Sequence, residues 1–296
     1  MRLLFLLLTF SLATNCSTPK RMQDAEQLLF EQETKRWQEQ RLANLLKPNS
    51  WLDVVGLHWL AEGENSFGSS RDNAHRFPKT APNWIGTYVK SNDDISLKIN
   101  PEITVRWKDS SITELQIIPA PNDEVVILEN ETFSWFLIQR NDKYGIRVRN
   151  TDSAARKRFD HLDYYPTDIK WKVEADFIPY ADKKIAIKNA VGMESDLVTA
   201  GQLIFKINGK EQSLDVLDGG ENLFFLILAD ATTGETTYGG GRYLYVKRPD
   251  KNGKVMIDFN RAYNPPCVFT DYATCPLPPL QNYLEVAITA GEKSNH

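Results

Sequence analysis

Asp258, Asn260, Arg261, Tyr263 and Asn264 fall in one short stretch with Cys267 and Cys275, two of the chain's three cysteines, and with five of its fifteen prolines. Carboxylate, amide, guanidinium and phenol groups at that density could hold a small polar ligand, and Asp258 is the candidate for acid–base chemistry. Pro265, Pro266, Pro276, Pro278 and Pro279 fix φ and remove backbone donors, so the stretch should be an ordered extended loop, not a helix or central strand. A rigid loop with polar side chains is well suited to a site. Arg242 and Tyr243 join the set. They follow Gly239-Gly240-Gly241, where the backbone can bend or approach a ligand closely, and the planar fork of Arg242 suits a carboxylate, a ligand's or that of Asp258.

Each chemistry open to these residues has a requirement. A paired-carboxylate hydrolase acting on a carbohydrate or ester needs a second acid beside Asp258, which Asp230, Glu235 or Asp271 could supply. A cysteine nucleophile needs a base, yet His58, His75, His161 and His296 all lie far from Cys267 in sequence. No Gly-x-Ser-x-Gly elbow is present. The glycine run precedes a strand, whereas phosphate cradles work through the amides of a helix start. No cofactor is implied, and no metal: Cys267 and Cys275 have neither a second Cys pair nor a nearby His, as zinc would require. A Cys267–Cys275 disulfide is the leading expectation, with two free thiols as the alternative. The bond would contribute about 2.5 kcal/mol and mainly fix the loop's shape.

The whole chain sets the context. It has 296 residues, 42% hydrophobic and 25% charged, as in a globular protein of one large or two ordinary domains. Thirty-five basic against thirty-nine acidic residues leave no basic stripe, so nucleic acid is set aside as a partner. The opening MRLLFLLLTFSLATNC reads as a secretory leader, too short in its apolar run to span a bilayer. Cys16 stands where a bacterial lipoprotein is lipidated. The expected protein is therefore exported to the cell envelope, and touches the membrane only through an N-terminal lipid anchor. In such a compartment a pair of thiols can persist as a disulfide.

Residues 22–47 have helical character, with leucines and Trp37 punctuating Glu, Gln and Arg, and Pro48 ends the run. This helix is expected to act as a spacer and lid on the first domain. From residue 50 the pattern turns to short alternating segments divided by Gly, Asn, Asp and Pro, the mark of an antiparallel β protein. Strands are expected at 51–60, 84–90, 95–99, 104–107, 114–118, 125–128, 133–140 and 143–149, enough for a sandwich over residues 50–151. Residues 152–160 read as a linker. A second β domain, barrel-like or a sandwich, is expected over 160–293, with strands at 171–177, 184–188, 196–207, 212–218, 222–229, 241–247, 254–260 and 283–290. Asn208-Gly209 signals a type I′ hairpin turn.

Two resemblances follow from longer motifs. The segment GLHWLAEGENSFGSSRDNAHRFP is similar to the opening of a forkhead-associated β-sandwich, although Ser69 stands where that family carries its phosphothreonine-reading Arg. That likeness implies fold and not phosphopeptide binding. The runs GGGRYL, DFNRAYNPPCVFTDYATCPLPPLQNYL and VAITAGEK, with WLDVVGLHWLAEGENSFGS and APNWIGTY earlier, closely resemble domain of unknown function 1684 over residues 51–293. The resemblance implies a two-part β-rich fold whose members often carry export or lipoprotein signals. Taken together, the expected function is binding of a small polar ligand or an envelope partner through Arg242, Tyr243, Asp258, Asn260, Tyr263 and Asn264. An envelope hydrolase using Asp258 with a second acid is the alternative, and a scaffolding lipoprotein a third class.

Overall fold

A computed structural model describes residues 20–117 and 125–294, with the backbone alone for 20–23; the leader and the lipidation candidate Cys16 lie outside the described residues. The fold is mainly β, with one long N-terminal helix, α1 (Lys20–Leu46), followed by two β lobes. Between α1 and the first strand, Ser50 caps a 3-10 turn over Trp51–Asp53, its hydroxyl accepting from Leu52 N at 3.3 Å.

The first lobe runs β1 (Val54–Trp59), β2 (Gly63–Gly68), β3 (His75–Arg76), β4 (Gly86–Ser91), β5 (Asp94–Ile99), β6 (Val105–Trp107), β7 (Ser110–Ile112), β8 (Glu114–Ile117), β9 (Leu128–Asn130), β10 (Phe133–Arg140) and β11 (Lys143–Asn150). One sheet has the order β1-β11-β10-β9-β6-β7 and the other β3-β2-β4-β5-β8. In β5, Ile95, Leu97 and Ile99 point inward on alternate residues, as a half-buried strand requires. They meet Phe67 and Tyr88 from the same sheet and Leu128, Trp135 and Ile146 from the other, and the shared core makes the lobe a sandwich.

The short helix α2 (Ala154–Arg158) leads to the second lobe: β12 (Lys172–Pro179), β13 (Lys184–Lys188), β14 (Glu194–Ile207), β15 (Lys210–Asp218), β16 (Leu223–Leu228), β17 (Arg242–Lys247) and β18 (Lys254–Asp258). Its sheet has the order β17-β16-β15-β14-β12-β18, with β13 also paired to β14. The end strands β17 and β18 approach each other, so the sheet curls into a nearly closed barrel around Leu203, Leu214, Phe224, Leu226, Leu244 and Ile257. The β14–β15 turn has Asn208 at φ 51° and Gly209 at φ 77°, the two positive values that a type I′ turn needs.

Residues 152–160 connect the lobes as an ordered segment: Ser153 caps α2, and Arg156 from that helix binds the buried carboxylate of Asp53 and the carbonyls of Leu46 and Lys47. Two expectations are corrected. Residues 283–290 form no strand. Their backbone closes the barrel end instead, with Leu284 N donating to Ala229 O at 2.8 Å and Ile288 N to Asp230 Oδ1 at 3.1 Å. Helix α1 lies on the second lobe as well as the turn before β1. Gln27 bonds Thr167 O and Ile169 N, and Arg41 reaches Glu292 and Asn264 O.

Candidate functional site

Strand alternation separates the candidates at the start. Along β17, Arg242, Leu244 and Val246 turn into the barrel, while Tyr243 and Tyr245 face the other way. Tyr243 and Tyr263 exchange backbone hydrogen bonds, each at 2.9 Å, which clamps the loop after β18 against the outer face of β17. Tyr243, Tyr263 and Asn264 thereby come together. They line a cavity of about 310 Å³ with Tyr245, Phe225 and Phe269, closed by Arg41 from α1 and Trp51 from the turn before β1. The Arg41 guanidinium carbon stands 4.8 Å from the centre of the Tyr263 ring.

Arg242, Asp258 and Asn260 line none of this cavity. Arg242 is buried and does not pair with Asp258. Its Nη2 binds Asp230 Oδ2 at 2.7 Å and Ile288 O at 3.0 Å, and its Nη1 reaches Ala290 O, so it latches the C-terminal segment to the β16–β17 connection. The physical reason is its side of the strand, which faces the barrel interior, where an unpaired guanidinium would be costly. Asp258 caps the 3-10 turn Phe259–Arg261 through Asn260 N at 3.1 Å and ion-pairs with Arg261 at 3.1 Å. Asn260 in turn exchanges bonds with the Asp168 backbone, at 3.0 and 3.1 Å. These two side chains therefore brace the end of β18 against the segment leading into β12.

Behind the cavity residues Arg41 and Asn264 lies Glu292, whose side chain is 0% exposed. It accepts from Arg41 Nε at 2.9 Å, from Asn264 N at 2.7 Å and from Tyr164 Oη at 3.3 Å. Burial and the adjacent Glu292 charge hold the Tyr164 phenol far above its ordinary range. Burial likewise raises Tyr243 and Tyr263, so both stay neutral hydroxyls at any physiological pH. Asn264 donates from Nδ2 to Lys293 O at 2.9 Å, but its buried Oδ1 has no partner. Asn264 and Phe269 also line a second cavity of about 330 Å³, whose rim carries Arg158, Asp160, His161 and Asp163. The hydrogen bond to Asp160, with the charge of Asp163, raises His161.

A third cavity of about 670 Å³ opens on the other side of Phe269, where Cys267 forms part of the wall with Val55, Arg158, Tyr238 and Asp271. Cys267 and Cys275 are free thiols, not the expected disulfide. Cys275 is buried, and its Sγ accepts from Cys267 N at 3.1 Å. Among the described residues no group of three or more His, Cys, Asp or Glu is placed to hold a metal ion, and no helix is long and apolar enough to cross a membrane. Arg41, Trp51, Phe225, Tyr245 and Phe269 are the cavity residues that the sequence did not single out, with Glu292 buried behind them. Trp51, Phe269 and Glu292 lie in the quoted family-like motifs, but nothing in those motifs marked them as site residues.

The molecule is thus a helix-strapped pair of β lobes, with three cavities around one proline-rich loop. Residues 157–293 match the family described as protein of unknown function DUF1684. An uncharacterized protein from Haloarcula marismortui, solved by NMR, is 31% identical, covering 48% of this chain and 81% of its own, with a TM-score of 0.40. The chain belongs to the DUF1684 family. The FhaA FHA domain, crystallised with the intracellular domain of Rv3910, is 17% identical with a TM-score of 0.21, covering 31% of this chain and 97% of its own. The search of curated proteins returned no match.

Proposed function

We propose that this protein binds a small polar ligand with a ring or planar face, in the aromatic cavity between α1, the Trp51 turn and the loop around Asn264. The observation that carries this reading is the ring cluster itself: Trp51, Phe225, Tyr243, Tyr245, Tyr263 and Phe269 line one cavity beside the Arg41 guanidinium. The surrounding rings of Trp51, Tyr243, Tyr245, Tyr263 and Phe269 supply stacking surface, as in sites that hold sugars or heterocycles.

The leader sequence and Cys16 support export and a lipid anchor, which would present this cavity in the cell envelope. Labelling cells with a radioactive fatty acid tests the anchor; label that persists in Cys16→Ala would rule out lipidation there. For ligand binding, a thermal-shift panel of sugars, organic acids and nucleotides should give a shift that Tyr245→Ala abolishes. Tyr245 is 46% exposed, so its removal leaves the core intact. No shift across the panel, or one indifferent to Tyr245, would count against the reading.

A further inference from the structure

Arg147, on β11, presents a problem that the aromatic cavity does not solve. It is 4% exposed, and its Nε and Nη2 have no hydrogen-bond partner. Its guanidinium carbon lies 5.2 Å from the Trp51 ring centre, and its charged neighbours Arg140 and Arg149 carry the same sign. Burying a cation with no anion is costly enough that such groups are normally paired. The groups of opposite tendency that act on Arg147 across the lobe boundary are the thiols of Cys267 and Cys275.

Those thiols are held ready for each other. Cys267 sits in the 3-10 turn Pro266–Val268 and Cys275 directly before Pro276, so prolines fix the backbone at both. The Cys275 Sγ lies 3.1 Å from the Cys267 amide and is buried, whereas Cys267 is half-buried and faces the 670 Å³ cavity. One sulfur is reachable and its partner waits behind it, the layout of an attacking and a resolving thiol.

We propose that Cys267 and Cys275 form a thiol–disulfide exchange centre for low-molecular-weight disulfides, with Cys267 as the attacking thiolate. The Cys267 thiolate attacks one sulfur of R–S–S–R, breaking that bond, forming Cys267–S–S–R and releasing RS⁻. Cys275 then attacks Cys267 Sγ and expels the second RS⁻, which takes up the Cys275 proton. The protein dithiol is oxidised by two electrons to a disulfide, and the small disulfide is reduced to two thiols. The centre lies on a different cavity from the aromatic one and does not rest on the ligand-binding reading.

The surrounding charges agree with that division of labour. The hydrogen bond from Cys275, assisted by Arg147, lowers Cys267 to about 7, while the same pairing and burial raise Cys275. Asp271 opposes the shift at Cys267, and the phenols Tyr238 and Tyr243 remain neutral beside the pair. Arg158 at the cavity wall adds a further positive charge.

The test is peptide-resolved alkylation with iodoacetamide across pH, followed by equilibration with oxidised and reduced glutathione, on the full chain. Cys267 should alkylate with a midpoint near pH 7, about three- to fourfold faster at pH 7 than a free cysteine once the weaker nucleophilicity of a low-pKa thiolate is counted. Oxidised glutathione should yield a Cys267–Cys275 disulfide in the wild type and a lasting glutathionyl adduct on Cys267 in Cys275→Ser. Arg147→Gln should move the alkylation midpoint upward. If that variant fails to fold, the wild-type profile and the Cys275→Ser adduct decide. Cys267 reacting no faster than free cysteine, an adduct carried on Cys275 instead, or a disulfide that glutathione does not exchange would each overturn the proposal.

Discussion

Arg242 Nη2 binds Asp230 Oδ2 at 2.7 Å, with the two side chains 1% and 0% exposed. The same carboxylate accepts from Thr232 N and Oγ1 and from Ile288 N, and the same guanidinium reaches Ile288 O and Ala290 O. The pair therefore fastens the C-terminal segment to the barrel. Removing one partner strands the other charge in the interior, at about 3–5 kcal/mol. Arg242→Met should lower the unfolding free energy from urea titration by that amount, seen as a lower midpoint at unchanged slope. A ligand-contacting arginine would leave the midpoint nearly unmoved.

Gly241, which sets up Arg242, predicts a second loss. Its φ is +80°, and an added Cβ would meet Pro278 Cγ at 2.4 Å and Leu228 O at 2.6 Å. The positive φ alone costs an L-residue about 1–2 kcal/mol, and the carbonyl contact adds to it. Gly241→Ala should therefore unfold at lower temperature than the wild type. Gly234→Ala is a control of similar φ, +83°, with open space around its Cβ, and should lose only the backbone share.

Arg41 and Glu292 couple the helix to the second lobe. Glu292 is buried and has Arg41 as its charged partner, supported by Tyr164 and the Asn264 amide. Arg41→Met should cost about 1.5–3 kcal/mol, the range for a hydrogen bond to a charged group. It should also loosen α1, which contributes one wall of the aromatic cavity. Limited trypsin digestion monitors this directly: cleavage at Lys35 and Arg36 should speed up in the variant. Unchanged cleavage would show that α1 is held by other contacts.

The strands were readable where hydrophobic alternation is regular. Lys184–Lys188 matches expectation to the residue because Ile185 and Ile187 alternate inward, and Phe133–Arg140 matches as a continuous apolar run buried on both faces. Gly63–Gly68 was missed because GENSFG has the composition of a turn, although Asn65 and Phe67 point inward. The site was half legible. Tyr243, Tyr263 and Asn264 converge as their clustering suggested, but Arg242 is one residue from Tyr243 and so faces the opposite side of the strand. Arg41 and Trp51 were invisible as site residues, since only the tertiary docking of α1 and the Trp51 turn brings them to the loop.

His58 gives the fold a built-in acid sensitivity. Its ring stacks on Phe77 with centroids 5.7 Å apart and lies 5.6 Å from His75, and its Nε2 is buried without a partner. Burial, then the neighbouring His75, lowers it from 6.5 to about 4, and burial lowers His75 in the same direction. The unfolded chain thus binds a proton near pH 6.5 that the folded chain refuses until about pH 4. Unfolding is then linked to proton uptake, so stability is full above pH 6.5 and falls as the pH drops towards 4. The loss from His58 approaches about 3 kcal/mol at the low end of that window. Melting temperature followed from pH 7.5 to 4 should decline in the wild type and decline less in His58→Phe, which keeps a ring against Phe77 and cannot titrate. Parallel curves for the two proteins would mean that the acid sensitivity comes from other groups.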